Sequence, residues 1–153
     1  MVFVREEVFM NNRNKLKIVI SALLVIGALL VLFGKTVIKG PGFTLTYKFI
    51  DAFNPASEAG FRTSTTVYCW ILLAGGIIGA VLVWLKPVWA KLITCVIGFI
   101  PPIFHIINNL RLGYGPFSFD GVCEFFMFFC PLAAAVLTII LIVKFKEEDK
   151  PQE

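Results

Sequence analysis

Polar and apolar residues along this chain are sorted into long blocks rather than alternating at helix or strand period. Four blocks, residues 18–33, 66–85, 88–107 and 125–143, are almost free of charge, with Lys91 the one exception. Each is close to the ~20 residues that an α-helix needs to cross ~30 Å of hydrocarbon. A water-soluble core helix carries a polar stripe on its outer face, and these blocks carry none. The pattern predicts an all-α membrane protein, a bundle of four transmembrane helices spanning approximately 18–35, 66–85, 88–108 and 123–143. Loops 36–65 and 109–122 then lie on one side of the membrane. Tails 1–17 and 144–153 and the 86–87 turn lie on the other, and residues 1–153 form a single integral membrane domain.

Composition agrees with this reading. The chain is 58% hydrophobic, against ~45–50% apolar in soluble domains even with Gly counted. Because the excess is gathered into blocks, the remaining residues suffice only for short connections and tails. The first block has a basic lead, Arg13, Lys15 and Lys17, as a secretory signal does. Its exit, Phe33-Gly34-Lys35-Thr36, offers no A-x-A-like cleavage site, so an uncleaved signal anchor fits better. Met10, followed by Asn11-Asn12-Arg13, is a second candidate start that would leave residues 1–9 as an extension.

Charge sets the expected orientation. With an even number of spans, both tails and the 86–87 turn share one side. That side carries nine of the 14 basic residues: Arg5, Arg13, Lys15, Lys17, Lys86, Lys91, Lys144, Lys146 and Lys150. The other side carries Lys35, Lys39, Lys48, Arg62 and Arg111. Cytoplasmic segments hold the Lys/Arg excess, so both termini are expected in the cytoplasm and the protein in the plasma membrane. The net charge of +4 does not point to nucleic acid. Its basic residues sit at block ends, where lipid headgroups lie, and no dense basic stripe with interleaved aromatics exists. Trp84 and Trp89 flank Lys86-Pro87 as inner-interface anchors, and Tyr68 and Trp70 mark the outer end of the second helix.

The 36–65 connection is the longest exposed piece. Thr44 to Phe53 reads TLTYKFIDAF, whose Thr and aromatic content suits extended structure. Gly40-Pro41-Gly42 and Asn54-Pro55 punctuate its flanks. A short hairpin, or a strand followed by a helical turn, is expected there. The shorter second outer loop turns at Gly113-Tyr114-Gly115-Pro116. The cysteines, Cys69, Cys95, Cys123 and Cys130, form no CxxC pair and no His/Cys cluster of metal spacing, so no metal or cofactor is expected. Cys69 and Cys123 fall near the same membrane face, within the topological range of a disulfide.

Several features are candidates for function. Gly75 and Gly79 form a G-x-x-x-G spacing, and Gly76 and Ala80 repeat it one residue on. Small residues on one helix face let another backbone approach, either within this bundle or across a homodimer or partner interface. Pro101-Pro102 removes two N–H donors and deprives the Ile97 and Gly98 carbonyls of their usual partners, a helix break that predicts a kink near the outer rim or, in the sharper reading, a hinge or discontinuous helix lining a site. His105, Asn108, Asn109 and Glu124 gather near the outer leaflet as a candidate polar site. His105 and Asn109 share a helix face, and imidazole is the side chain that changes charge nearest neutral pH. Phe125, Phe126, Phe128 and Phe129 make the outer half of the fourth helix bulky, ahead of Ala133-Ala134-Ala135. Lys91 is expected to reach the inner interface beside Trp89 through its long stem.

These residues do not make a catalytic set, because one His and one carboxylate lack a nucleophile or a second metal ligand. The favoured reading is a non-enzymatic, multi-pass protein acting through helix–helix and outer-loop contacts as an accessory, immunity-type or organising subunit. Its partners would be the bilayer and either a membrane protein or further copies of itself. The alternative is an oligomeric small channel or transporter using the Pro101-Pro102 break, His105 and Asn108. A membrane enzyme is a third reading, resting on His105, Asn108, Asn109, Arg111, Asp120 and Glu124.

Overall fold

The structure is a computed structural model, described at residues 2–40, 43–53, 63–111, 113–119 and 121–145. In chain order it contains helix α1 (Val2–Phe33), strands β1 (Lys35–Gly40) and β2 (Phe43–Lys48), and a 3-10 turn at Phe49–Phe53. Helices α2 (Thr63–Leu82), α3 (Val88–Arg111) and α4 (Val122–Lys144) follow. Three segments, Asn12–Phe33, Val88–Arg111 and Val122–Lys144, are helical, long enough and apolar enough to cross a membrane. In α2 the apolar stretch is the shorter Thr66–Leu82. The first helix begins at Val2, so most of the segment expected as a polar tail continues the helix of the first apolar block.

The connection after α1 is more regular than its sequence suggests. Pairing is antiparallel from Lys35↔Lys48 to Gly40↔Phe43, so extended structure starts nine residues before Thr44. Thr36, Val37 and Ile38 are β-branched and suit the first strand. Within Thr44–Phe53 the extended structure ends at Lys48, and Phe49–Phe53 coils into the 3-10 turn, so the segment combines the hairpin with the helical turn that were expected as alternatives. The Phe49 amide donates to the Gly34 carbonyl at 3.2 Å, which closes the hairpin at the helix end and redirects the chain. Pro41-Gly42 and Asn54-Pro55 lie outside the described residues.

Around the bundle the helices neighbour one another in the order α1, α2, α3, α4 and back to α1, and the diagonal pairs hardly meet. The short α2–α3 turn and the ten-residue α3–α4 connection favour antiparallel neighbours, while α1 and α2 are joined through the hairpin and the 3-10 turn. Two apolar clusters fill it. One joins Val31, Phe49, Tyr68, Cys69, Leu72 and Met127 at the hairpin end. The other joins Ile20, Leu24, Val83, Ala134, Leu141 and Phe145 at the end that holds the α2–α3 turn. Outside these clusters the surface is apolar on every helix: Ile18, Ile77, Val96 and Val143, one from each, are all more than half exposed. A surface of this kind suits hydrocarbon, whereas soluble monomers rarely expose contiguous apolar patches beyond a few hundred Å².

Close helix contacts rest on small residues and short hydrogen bonds. A Cβ at Gly76 would stand 2.7 Å from the Leu24 carbonyl oxygen of α1, and one at Gly79 would stand 3.0 Å from the Leu24 side chain. Gly75 faces Ile97 of α3. Ala80 packs beside the second cluster, and its carbonyl accepts the Ser21 hydroxyl at 3.0 Å. The paired small residues of α2 therefore serve two intrachain contacts, to α1 and to α3. A third close approach had no G-x-x-x-G flag. A Cβ at Gly98 would meet the Pro131 carbonyl oxygen at 2.7 Å and the Ala135 Cβ at 2.9 Å.

The discontinuous helix weighed at Pro101-Pro102 is corrected: α3 runs unbroken from Val88 to Arg111 with both prolines inside it and buried. The φ that proline imposes is itself helical, so two missing hydrogen bonds need not end a helix that neighbours hold in place. Tyr68 is also corrected. It faces inward with Cys69 and Leu72 rather than anchoring at the headgroups, and Trp70 is the exposed aromatic of that pair. Lys91 is inside the bundle, 1% exposed, and donates to the Lys86 carbonyl at 3.2 Å. It spans the α2–α3 turn from within instead of lying beside the exposed Trp89. All four cysteines are free thiols, including Cys69 and Cys123, which pack at the same cluster.

Substitution of the small residues tests these contacts. Gly76→Ala and Gly98→Ala each press on a backbone atom and are expected to lower stability by about 1–3 kcal/mol. Gly115→Ala meets nothing within 4 Å and is expected to stay within about 0.5 kcal/mol. Thermal unfolding in detergent, followed by tryptophan fluorescence, reads the difference.

Candidate functional site

The second connection folds back onto the bundle at one point. Residues 105 and 109 lie one helical turn apart near the end of α3, so both side chains reach the same neighbour. The Asn109 amide donates to the Ser118 carbonyl at 2.8 Å and stands 3.0 Å from His105 Nε2. His105 Nε2 is itself 3.1 Å from that same carbonyl. The tautomer sets the roles: with its proton on Nδ1, the imidazole accepts from the Asn109 amide through Nε2. A ring carrying a proton on Nε2 would donate to Ser118 instead and turn a donor against the Asn109 amide. His105 and Asn109 are 9% and 8% exposed, so neither competes with bulk water for these bonds.

Aromatic rings enclose the clamp. His105 stacks on Phe119 with centroids 5.0 Å apart and rings 12° from parallel. Phe128 meets His105 edge-on at 5.5 Å, and Phe119 touches Phe125, Phe128 and Phe129 of α4. Such pairs add about 0.5–1.5 kcal/mol each beyond their area. The crowded phenylalanines of α4 thus form the wall against which the 113–119 segment is laid. Phe126 joins through Phe125.

The four residues expected as an outer-leaflet polar site are not gathered equally. His105 and Asn109 meet directly. Asn108 is half-buried and stands about 100° round the helix from Asn109. Glu124 sits in the first turn of α4, where a carboxylate faces the positive end of the helix dipole. Its charge acts on Tyr68. Asp120 lies outside the described residues, and Arg111 is exposed.

Sequence reasoning missed Tyr68 and Ser118. Tyr68 stacks on Phe104 at 5.7 Å, and its hydroxyl is buried with no hydrogen-bond partner among the described residues. The signal was available in the spacing of Tyr68, Cys69 and Leu72, which share one face. Ser118 contributes a backbone carbonyl, which no residue-type pattern marks. Among the described residues no group of His, Cys, Asp and Glu is arranged to hold a metal ion.

At the opposite end, polar side chains tie helix to helix. The Trp84 indole donates to the Ser21 hydroxyl at 3.0 Å, and Lys17 lies over the Trp84 ring at 5.7 Å. The Thr94 hydroxyl lies 3.3 Å from the Gly79 carbonyl and 3.0 Å from that of Ala90. Hydroxyls bonded to neighbouring backbone are a usual adhesive between membrane helices.

No family model, curated protein or solved structure matches the chain.

The clamp makes a direct prediction. Asn109→Leu removes both donors and leaves the Ser118 carbonyl short of a partner, at an expected cost of about 1–3 kcal/mol. Hydrogen exchange should accelerate at residues 113–119 and stay unchanged in the 35–48 hairpin. Tyr68→Phe, which deletes an unpartnered hydroxyl, should leave that exchange pattern as it is.

Proposed function

We propose that this protein is a small, non-enzymatic, four-span protein of the plasma membrane, with both termini and the α2–α3 turn in the cytoplasm. On this reading it is an accessory, immunity-type or organising subunit that works through its outer segments and helix faces. The fourth span is α2, whose 20 residues cover about 30 Å at 1.5 Å each. Its course supports a crossing, because it connects the hairpin end of the bundle to the turn at the other end, between two helices long enough to span.

The observation that carries the reading is the use to which the polar side chains are put. His105 and Asn109, the pair best suited to chemistry, are spent on holding the second connection to the bundle. What that connection presents outward is aromatic: Tyr114 and Phe117 are 58% and 65% exposed. Exposed aromatics on an anchored loop are the composition of a protein contact rather than of a solute path. The channel reading draws less support, since the imidazole on which it depends is covered by Phe119, Phe128 and Tyr68. The small residues of α2 are engaged inside the chain, which leaves the outer segments and the apolar outer helix faces for a partner or a second copy.

A photo-crosslinking residue at Phe117, activated in native membranes, tests this reading. The expected result is a reproducible adduct with one membrane protein or with a second copy of the chain. Recovery of unpartnered monomer alone from this position would contradict it.

A further inference from the structure

At the end of the bundle away from the clamp, a groove of about 320 Å³ opens between residues 12–19 of α1 and the end of α4. Its size falls at the low end of small-molecule sites, which run from about 300 to 1,000 Å³. Asn12, Lys15 and Lys144 line it together with the apolar Val19, Ile140 and Phe145. The helices are antiparallel, so the order along the groove is set by the chain. Lys15 precedes Val19 by one turn on α1, and Lys144 follows Ile140 by one turn on α4. Both amines therefore lie at the outer level and the apolar side chains about 6 Å deeper, one turn at 1.5 Å per residue.

We propose that this groove binds an anionic phospholipid, its phosphate between Lys15 and Lys144 and the start of an acyl chain along Val19 and Ile140. Charge complementarity selects this occupant. Both lysines are exposed, and the Lys144 amine lies 5.9 Å from the ring centre of Phe145, which also lines the groove. Among residues whose side chains are described, the carboxylates are Asp51 and Glu124, and both belong to the hairpin end. An apolar floor with a cationic rim, open to the side, matches an amphiphile lying in a leaflet. Basic pockets between membrane helices on the cytoplasmic side bind lipid headgroups in this way. The Asn12 amide adds a donor for a phosphate or glycerol oxygen. The inference rests on the membrane reading proposed above.

The test uses the full chain in detergent micelles, with phosphatidylglycerol or phosphatidylcholine added and lipid retention read by native mass spectrometry. Phosphatidylglycerol should be retained in preference to phosphatidylcholine. Lys15→Gln and Lys144→Gln should each weaken that retention about fivefold, and together by the product. Lys15→Arg with Lys144→Arg should keep it, which separates loss of charge from loss of fold. Lys86→Gln, at the same end but outside the groove, should leave it unchanged. Equal retention of the two lipids, or an equal loss with Lys86→Gln, would overturn the site. A further contrary result is retention only after neutralising Glu147, Glu148 and Asp149, which would mean that the chain's own tail fills the groove. A chain that stays dispersed in buffer without detergent would sink the membrane reading itself. Detergent dependence without lipid preference would sink only this inference.

Discussion

Hydrocarbon offers a peptide group no hydrogen-bond partner, and each unmet N–H or C=O there costs several kcal/mol. On the membrane reading, that constraint accounts for most of the chain's architecture. It explains why the apolar blocks are helical, since a helix pairs its backbone within one segment. It also explains why non-helical backbone is gathered beyond the helix ends, in the hairpin, the 3-10 turn and the 113–119 segment. Proline is the apparent exception. Pro101, Pro102 and Pro131 all lie inside helices. Pro131 meets α3 at Gly98, where a Cβ would stand 2.7 Å from the Pro131 carbonyl oxygen, and such close packing supports helices whose own hydrogen bonds are fewer.

With the middle of each helix given to apolar contact, the chemistry of the molecule is at its two ends, and the ends differ. The hairpin end is closed by rings: Phe49 enters the cluster with Tyr68 and Met127, and Phe119 covers His105. The opposite end is tied by cations and hydroxyls, with Lys91 on the Lys86 carbonyl, Lys17 over Trp84 and Ser21 between Trp84 and Ala80. One end is thus a rigid aromatic platform carrying outward-facing loops. The other is basic, as a surface beside anionic headgroups would be.

The helices were legible in the sequence because long apolar blocks favour helices, and apart from the start of α1 their bounds differ from the apolar runs by a few residues. The α1 start was not legible, since residues 2–17 mix charges with apolar residues and carry no stop signal. The hairpin was legible as extended character but not in register. Its closure depends on the Phe49–Gly34 bond, which joins residues far apart in sequence. Within the candidate site, His105 and Asn109 could be paired from their spacing. Their partner could not, because Ser118 is engaged through a carbonyl that every residue possesses. Asn108 and Glu124 were grouped with them by depth alone, and depth does not specify which way a side chain faces round a helix. Lys91 shows the same limit: its place near the α2–α3 turn was readable, and its inward direction was not.

The central claim is that four helices thread the bilayer, so that the α2–α3 turn and the 113–119 segment lie on opposite sides. Single cysteines at Lys86 and Tyr114, in a chain whose native cysteines are replaced by alanine, report this directly when intact cells are treated with a membrane-impermeant maleimide. The expected result is labelling of residue 114 in intact cells and of residue 86 only after permeabilisation. Labelling of both positions in intact cells, or of residue 86 alone, would contradict the four-span arrangement and its orientation.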